Sequence, residues 1–183
     1  MISSSARASF DRMIIRSLQE TFPTASGMPP EISAAAHSAP EANSQMVVLM
    51  ISSHTFRIVI ALHFPGTPEA MRYLTPLHLT GGDTDMQGFR DGMSERGNMC
   101  CGMVNREIGL FFTHTGMSTP HIIDGRSAPF LTTVPHEYAT HWQIRLDEQL
   151  RFSASLCVHS REPMDFEWHP DAQNEVAGEL ELF

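Results

Sequence analysis

The chain has 183 residues, 42% hydrophobic and 18% charged, with a formal charge of -9; that suffices for one compact domain with a short appendage and is the composition of a globular protein, not a disordered one. No basic run occurs, which argues against a nucleic-acid partner, since affinity there comes from clustered Lys and Arg. All 12 basic residues are arginines, and the lack of lysine excludes Schiff-base chemistry, a Walker-A lysine and a lysine general base.

In chain order, Phe10, Met13, Ile14 and Leu18 form one apolar stripe and predict an amphipathic helix over about residues 6–22, with Ser5 or Ser9 as cap and Pro23 and Gly27 beyond its end. The Ala-, Ser- and Pro-rich stretch to residue 45 predicts a connecting loop. The expected division is therefore residues 1–45 as helix and connection, 46–169 as the main α/β domain, and 170–183 as an acidic, solvated tail. Residues 46–51 and 55–64 read as two strands of a hairpin, the second alternating Phe56, Ile58, Ile60, Leu62 and Phe64 with Arg57, Val59, Ala61 and His63. Thr67-Pro68-Glu69 supplies the N-cap, first-position proline and first-turn acid of a short helix.

Gly81, Gly82 and Asp83 then break the chain and open a long helix over about residues 85–107. Residues 110–115, a turn at Gly116 and residues 120–123 lead to strands over 141–146 and 150–158, joined as a hairpin through 147–149. Residues 180–183 are a candidate short edge strand. The sum is an α+β fold, an antiparallel β-sheet with a long central helix and shorter helices packed on one face. No apolar stretch reaches the roughly 20 residues that cross a bilayer. The first residues lack a signal peptide's apolar core, so the expectation is a cytoplasmic protein with no membrane partner. Cys100, Cys101 and Cys157, odd in number and two of them adjacent, suit buried apolar roles in a reducing compartment better than disulfides or a zinc knuckle.

At about 100° per residue, Met86, Phe89, Met93, Gly97, Cys100, Val104 and Ile108 share an arc of roughly 100° on the long helix, the predicted buried side. Asp91, Glu95, Asn98, Gly102 and Asn105 step by four and three residues and share a face about 150° away. Gly97 costs about 1 kcal/mol of helix propensity relative to Ala and fits a close approach of helix to sheet. Gly102 leaves a bare patch on the outer face, against which another protein's backbone can come close. A carboxylate and a carboxamide one turn apart are, by themselves, a common solvated pair.

The surrounding run is more specific. Asp91-Gly92-Met93-Ser94-Glu95-Arg96-Gly97-Asn98-Met99-Cys100-Cys101-Gly102-Met103-Val104-Asn105-Arg106 resembles the signature helix of the CheC/CheX/FliY phosphatases of bacterial chemotaxis. In that helix an acidic residue leads into Glu-x-x-Asn, then a Met, small or apolar residues and a Gly. The other elements are compatible with the same family in their order. A single Glu-x-x-Asn helix resembles CheX, whose members dimerise through their sheets, more than the CheC-like members that carry two.

The resemblance implies a phosphatase acting on the aspartyl phosphate of a CheY-like receiver domain. Asn98 would orient the attacking water and Glu95 would pair with the receiver's lysine. Asp91, Gly102 and Asn105 would belong to the binding face. It also implies Mg²⁺ on the receiver, no cofactor or metal in this chain, and a homodimer. The alternative is a non-catalytic adapter that docks a receiver or flagellar-switch partner on the same fold. Arg96 follows Glu95 but projects about 100° away, so it is expected not to quench the carboxylate.

Other chemistry finds less support. His136-Glu137-Tyr138-Ala139-Thr140-His141 spaces its histidines by five, not the four of HExxH zinc proteases, which on a helix turns the second about 140° from the first. Ser52-Ser53-His54, and Ser155 with Cys157 and His159, lack an oxyanion loop or nucleophile elbow. Most of the 12 methionines occupy apolar periodic positions and read as core filler.

Overall fold

The computed structural model describes residues 1–24, 26–36, 43–75, 86–148 and 150–170. In chain order the elements are α1 (Ser4–Thr21), β1 (Glu31–Ala34), β2 (Gln45–Ser52), β3 (Phe56–Phe64), α2 (Pro68–Leu74), α3 (Met86–Ile108), β4 (Gly116–Met117), β5 (His121–Asp124), a 3-10 helix (Gly125–Thr133), β6 (Tyr138–Arg145) and β7 (Arg151–Ser160). The strands form one sheet in the order β1-β6-β7-β3-β2-β4, with β5 also on β2, and every pairing is antiparallel. This is the expected α+β architecture.

Alternation along the strands decides which face meets the helices. Phe56, Ile58, Ile60, Leu62 and Phe64 of β3, with Phe152, Ala154, Leu156 and Val158 of β7, join one core with Phe10, Met13, Ile14 and Leu18 of α1. Phe89, Met93, Cys100, Cys101, Val104 and Ile108 bring α3 into the same core. Phe64 and Phe152 meet edge to face with ring centroids 4.9 Å apart, a preferred aromatic geometry. On the sheet's other face the residues between them form a smaller cluster, Met46, Val59, Ala61 and Cys157, roofed by Ala128 and Leu131 of the 3-10 helix. That second layer was not expected from the sequence. β3 reads as amphipathic, yet Val59 and Ala61 are also buried.

Thr67 caps α2, its Oγ1 accepting from the Ala70 amide at 3.3 Å, with Pro68 at the first turn, as the sequence indicates. Other expectations need correction. The cap of α1 is Ser3, not Ser5 or Ser9; its Oγ accepts from the Ala6 amide at 3.1 Å. The connection between α1 and β2 contains a strand, β1, whose four residues pair with β6 from Glu31↔Arg145 to Ala34↔Trp142. A four-residue run with one large apolar side chain carries too little periodicity to reveal itself, and its pairing comes from β6. Met86, placed on the buried arc by its angle, is exposed at the first turn of α3; periodicity gives a direction but not how far the sheet reaches.

Residues 161–170 form an unforeseen strap along α1. The Ser3 amide donates to the Met164 carbonyl at 3.0 Å. The Trp168 amide donates to Ser9 Oγ at 2.9 Å, and Arg12 donates to the Trp168 carbonyl. Its own Met164, Phe166 and Trp168 are buried. The hydroxyls of Ser3 and Ser5 donate to Asp165 Oδ1 at 2.6 and 2.8 Å, which holds that carboxyl below its ordinary pKa. The expected break at residues 81–83, the edge strand at 180–183 and the tail beyond Pro170 lie outside the described residues.

Candidate functional site

α3 runs unbroken through Gly97, and two of its glycines lie where the helix approaches its neighbours closely. A side chain at Gly92 would collide with the Leu74 carbonyl oxygen, and one at Gly97 would press on Leu49 and Val47 of β2. Close packing of helix to sheet therefore accounts for the glycine that intrinsic propensity disfavours. Ser17 Oγ lies 3.1 Å from Cys100 Sγ, which seats α1 against the same helix. Arg96 Nη1 donates to the Thr21 carbonyl at the end of α1, and its guanidinium stands 5.8 Å from the Tyr73 ring centroid. It is thus held on the α1–α2 side, away from Glu95 as its helical angle predicts.

On the outward side, Asp91, Glu95 and Asn98 are exposed and Gly102 is half-buried with nothing within 4 Å of where a Cβ would stand. Gln87 Nε2 donates to Asp91 Oδ1 at 2.8 Å one turn back. Asn105 closes the row at its far end; it is half-buried and its Oδ1 is enclosed without a hydrogen-bond partner. The helix thus brings all five sequence-selected residues onto one side, four along open surface and the fifth tucked at the margin. Two further residues share it and were missed by the sequence reading, Met99, 43% exposed, and Arg106, whose side chain is 63% exposed. The same angular arithmetic would have found both, since each lies within about 40° of Glu95. A shallow hollow of about 360 Å³ lies beside the first half of α3, lined by Gln45, Arg90, Ile122, Ile123 and Asp124.

An outward carboxylate and carboxamide at this spacing can hold a water and engage a cation on a partner, but they offer too few ligands for a hard metal ion. Among the described residues no group of three or more His, Cys, Asp or Glu side chains is arranged to hold a metal. His136 lies in a loop, its Nδ1 2.8 Å from the Val134 carbonyl, whereas His141 is on β6; no helix joins them. Burial pushes the thiols of Cys100 and Cys101 up to about 12, so neither supplies a thiolate nucleophile near neutrality. Among the described residues no helix is long and apolar enough to cross a membrane.

An antiparallel sheet backed by a long helix is an architecture that solved structures share. The fold is that of the CheC-like and CheX proteins. A CheC-like superfamily protein from Shewanella sp. PV-4 matches with a TM-score of 0.60 at 13% identity over 83% of this chain and 98% of that one. The chemotaxis protein CheX from Vibrio vulnificus matches at 0.59 and 13% identity over 82% and 99%. CheX from Borrelia burgdorferi, solved in complex with CheY, BeF3 and Mg²⁺, matches at 0.59 and 11% identity over 84% and 97%. No protein-family model and no curated protein matches the sequence.

Proposed function

We propose that this protein is a chemotaxis-type phosphatase that hydrolyses the aspartyl phosphate of a CheY-like receiver domain. The observation that carries the reading is the unbroken α3 with Glu95 and Asn98 exposed one turn apart on its outward face. The likeness to a CheX solved with CheY supports the choice of partner.

The chemistry asks little of the enzyme. Water attacks phosphorus as the bond to the receiver's aspartyl oxygen breaks, releasing carboxylate and inorganic phosphate, to which the water's proton passes. The receiver brings Mg²⁺ and a lysine, which offset the phosphoryl charge. The missing part is an oriented water. A carboxamide accepts a hydrogen from that water and donates toward the phosphoryl group without adding negative charge, which suits Asn98. Glu95 pairs with the receiver's lysine and sets the docking register. Asp91, Gly102 and Asn105 complete the contact face, and this chain needs no cofactor of its own.

The working form in this reading is a cytoplasmic homodimer joined by edge strands. The β4 and β5 edge carries the exposed Met117 and Ile123, and such an edge calls for a cover. A monomer by sedimentation at micromolar concentration would overturn the dimer.

The deciding experiment follows phosphate loss from a Mg²⁺-bound, acyl-phosphorylated receiver of the same organism, with wild type beside Asn98→Ala and Glu95→Ala. Acceleration by wild type that disappears in Asn98→Ala is the expected result. Binding without acceleration would replace the phosphatase with an adapter.

A further inference from the structure

The outward face of α3 is electrically polarised. Asp91 and Glu95 lie toward its first half, Asn98, Met99 and Gly102 occupy the middle, and Arg106 stands near its end. Glu95 and Arg106 differ by only about 20° in helical angle and by about 16 Å along the axis, so one docked surface spans both.

Arg106 is a largely exposed cation tethered at one edge. Its Nε and Nη2 lie 3.4 and 3.2 Å from Glu107 Oε1, and Glu107 is itself buried at 4% exposure. The other carboxylate oxygen, Glu107 Oε2, accepts from the Trp168 indole at 2.9 Å. The strap therefore holds Glu107, and Glu107 holds one edge of the guanidinium. The rest of a side chain that is 63% exposed faces solvent. A pre-positioned guanidinium loses less freedom on pairing with a carboxylate than a mobile one. Between the two charged ends, Gly102 adds no side chain and Met99 offers a flexible apolar contact.

We propose that Arg106 is a specificity-determining anchor of the docking face, which pairs with a carboxylate on the receiver about 16 Å from the lysine engaged by Glu95. The face then accepts a receiver in one orientation, cation against Glu95 and anion against Arg106, and repels the reverse. This inference rests on the receiver reading above.

The test measures affinity for the Mg²⁺- and beryllofluoride-loaded receiver of the same organism, at low and high salt, for wild type, Arg106→Gln, Arg106→Glu and Arg106→Lys. Arg126→Gln, on the 3-10 helix across the sheet, is the control. Arg106→Gln should weaken binding roughly tenfold and Arg106→Glu more, with a reduced salt dependence. Arg106→Lys should retain most of the affinity, and Arg126→Gln all of it. In dephosphorylation, Arg106→Gln should raise the receiver concentration needed for half-maximal rate more than it lowers the saturating rate. Wild-type affinity in both Arg106→Gln and Arg106→Glu, with unchanged melting curves, overturns the anchor and leaves the phosphatase reading standing. Failure of the wild type to bind any receiver overturns both.

Discussion

Arg96 Nη1 donates to the carbonyl oxygen of Thr21 at 2.5 Å, joining the α3 turn that carries Glu95 and Asn98 to the last residue of α1. A cation at a helix C-terminus satisfies an orphan carbonyl and opposes the negative end of the helix dipole. One side chain thus braces the candidate site from behind while its neighbour Glu95 faces solvent. Arg96→Ala should cost about 2 kcal/mol, the range of a hydrogen bond to a charged group, read from urea denaturation with the slope unchanged. An unchanged midpoint would mean that the contact contributes nothing in solution.

The glycines of α3 predict opposite responses to one added methyl group. At Gly92 a Cβ would fall 2.0 Å from the Leu74 carbonyl oxygen, a backbone atom that cannot move aside alone, so Gly92→Ala should destabilise by more than about 2 kcal/mol. At Gly102 nothing lies within 4 Å, and Gly102→Ala should stabilise by about 1 kcal/mol through helix propensity. Thermal melts of the two variants should therefore shift in opposite directions.

Trp168 and Glu107 lie 61 residues apart in sequence and meet at 2.9 Å. Trp168→Phe keeps most of the apolar bulk but removes the donor to a buried carboxylate. The expected loss is about 2 kcal/mol. Restoration of stability by an added Glu107→Gln would show that the cost lies in that carboxylate. No loss in Trp168→Phe would show that the strap does not depend on the bond.

Cys100 and Cys101 are held neutral by burial, with values of about 12 against an ordinary 9.0. Between these limits the unfolded chain releases thiol protons that the folded chain retains, so stability is complete below about pH 9 and falls as pH rises. The slope should approach roughly 1.4 kcal/mol per pH unit for each thiol. Cys100→Ala should flatten the decline measured by denaturant titration between pH 9 and 11. A decline as steep as wild type would assign it to other groups. In the native protein below pH 9, an aromatic disulfide reagent should modify neither residue until denaturant is added.

Asn98→Asp tests the electrostatic part of the proposed mechanism with almost no change of shape. The side chain is exposed, so folding stability should change by less than about 0.5 kcal/mol. Receiver dephosphorylation should nonetheless fall to the Asn98→Ala level, because a carboxylate repels the phosphoryl oxygens. Retained activity would remove water orientation by a carboxamide from the account.

The sequence by itself determined the long-range order of elements and the outward face of α3. Strands such as β3 and helices such as α1 bury regular sets of side chains, and their periods survive as a pattern in one dimension. Because α3 is a regular helix, Asp91, Glu95, Asn98 and Gly102 share open surface by angle alone. The candidate face was legible for that reason, and the positions of Met99 and Arg106 on it follow from the same arithmetic.

Only the tertiary structure decided what local pattern does not encode. β1 exists because β6 offers it an edge, and the strap of residues 161–170 is ordered by partners in α1 and α3 distant in sequence. The second small core forms because the 3-10 helix folds back over the sheet. Why position 97 takes a glycine, where Arg96 points and what Arg106 pairs with are likewise answers given by Leu49, Thr21 and Glu107. Such contacts depend on the distance between elements and on which edge or face remains open, quantities that hydrophobic periodicity does not contain.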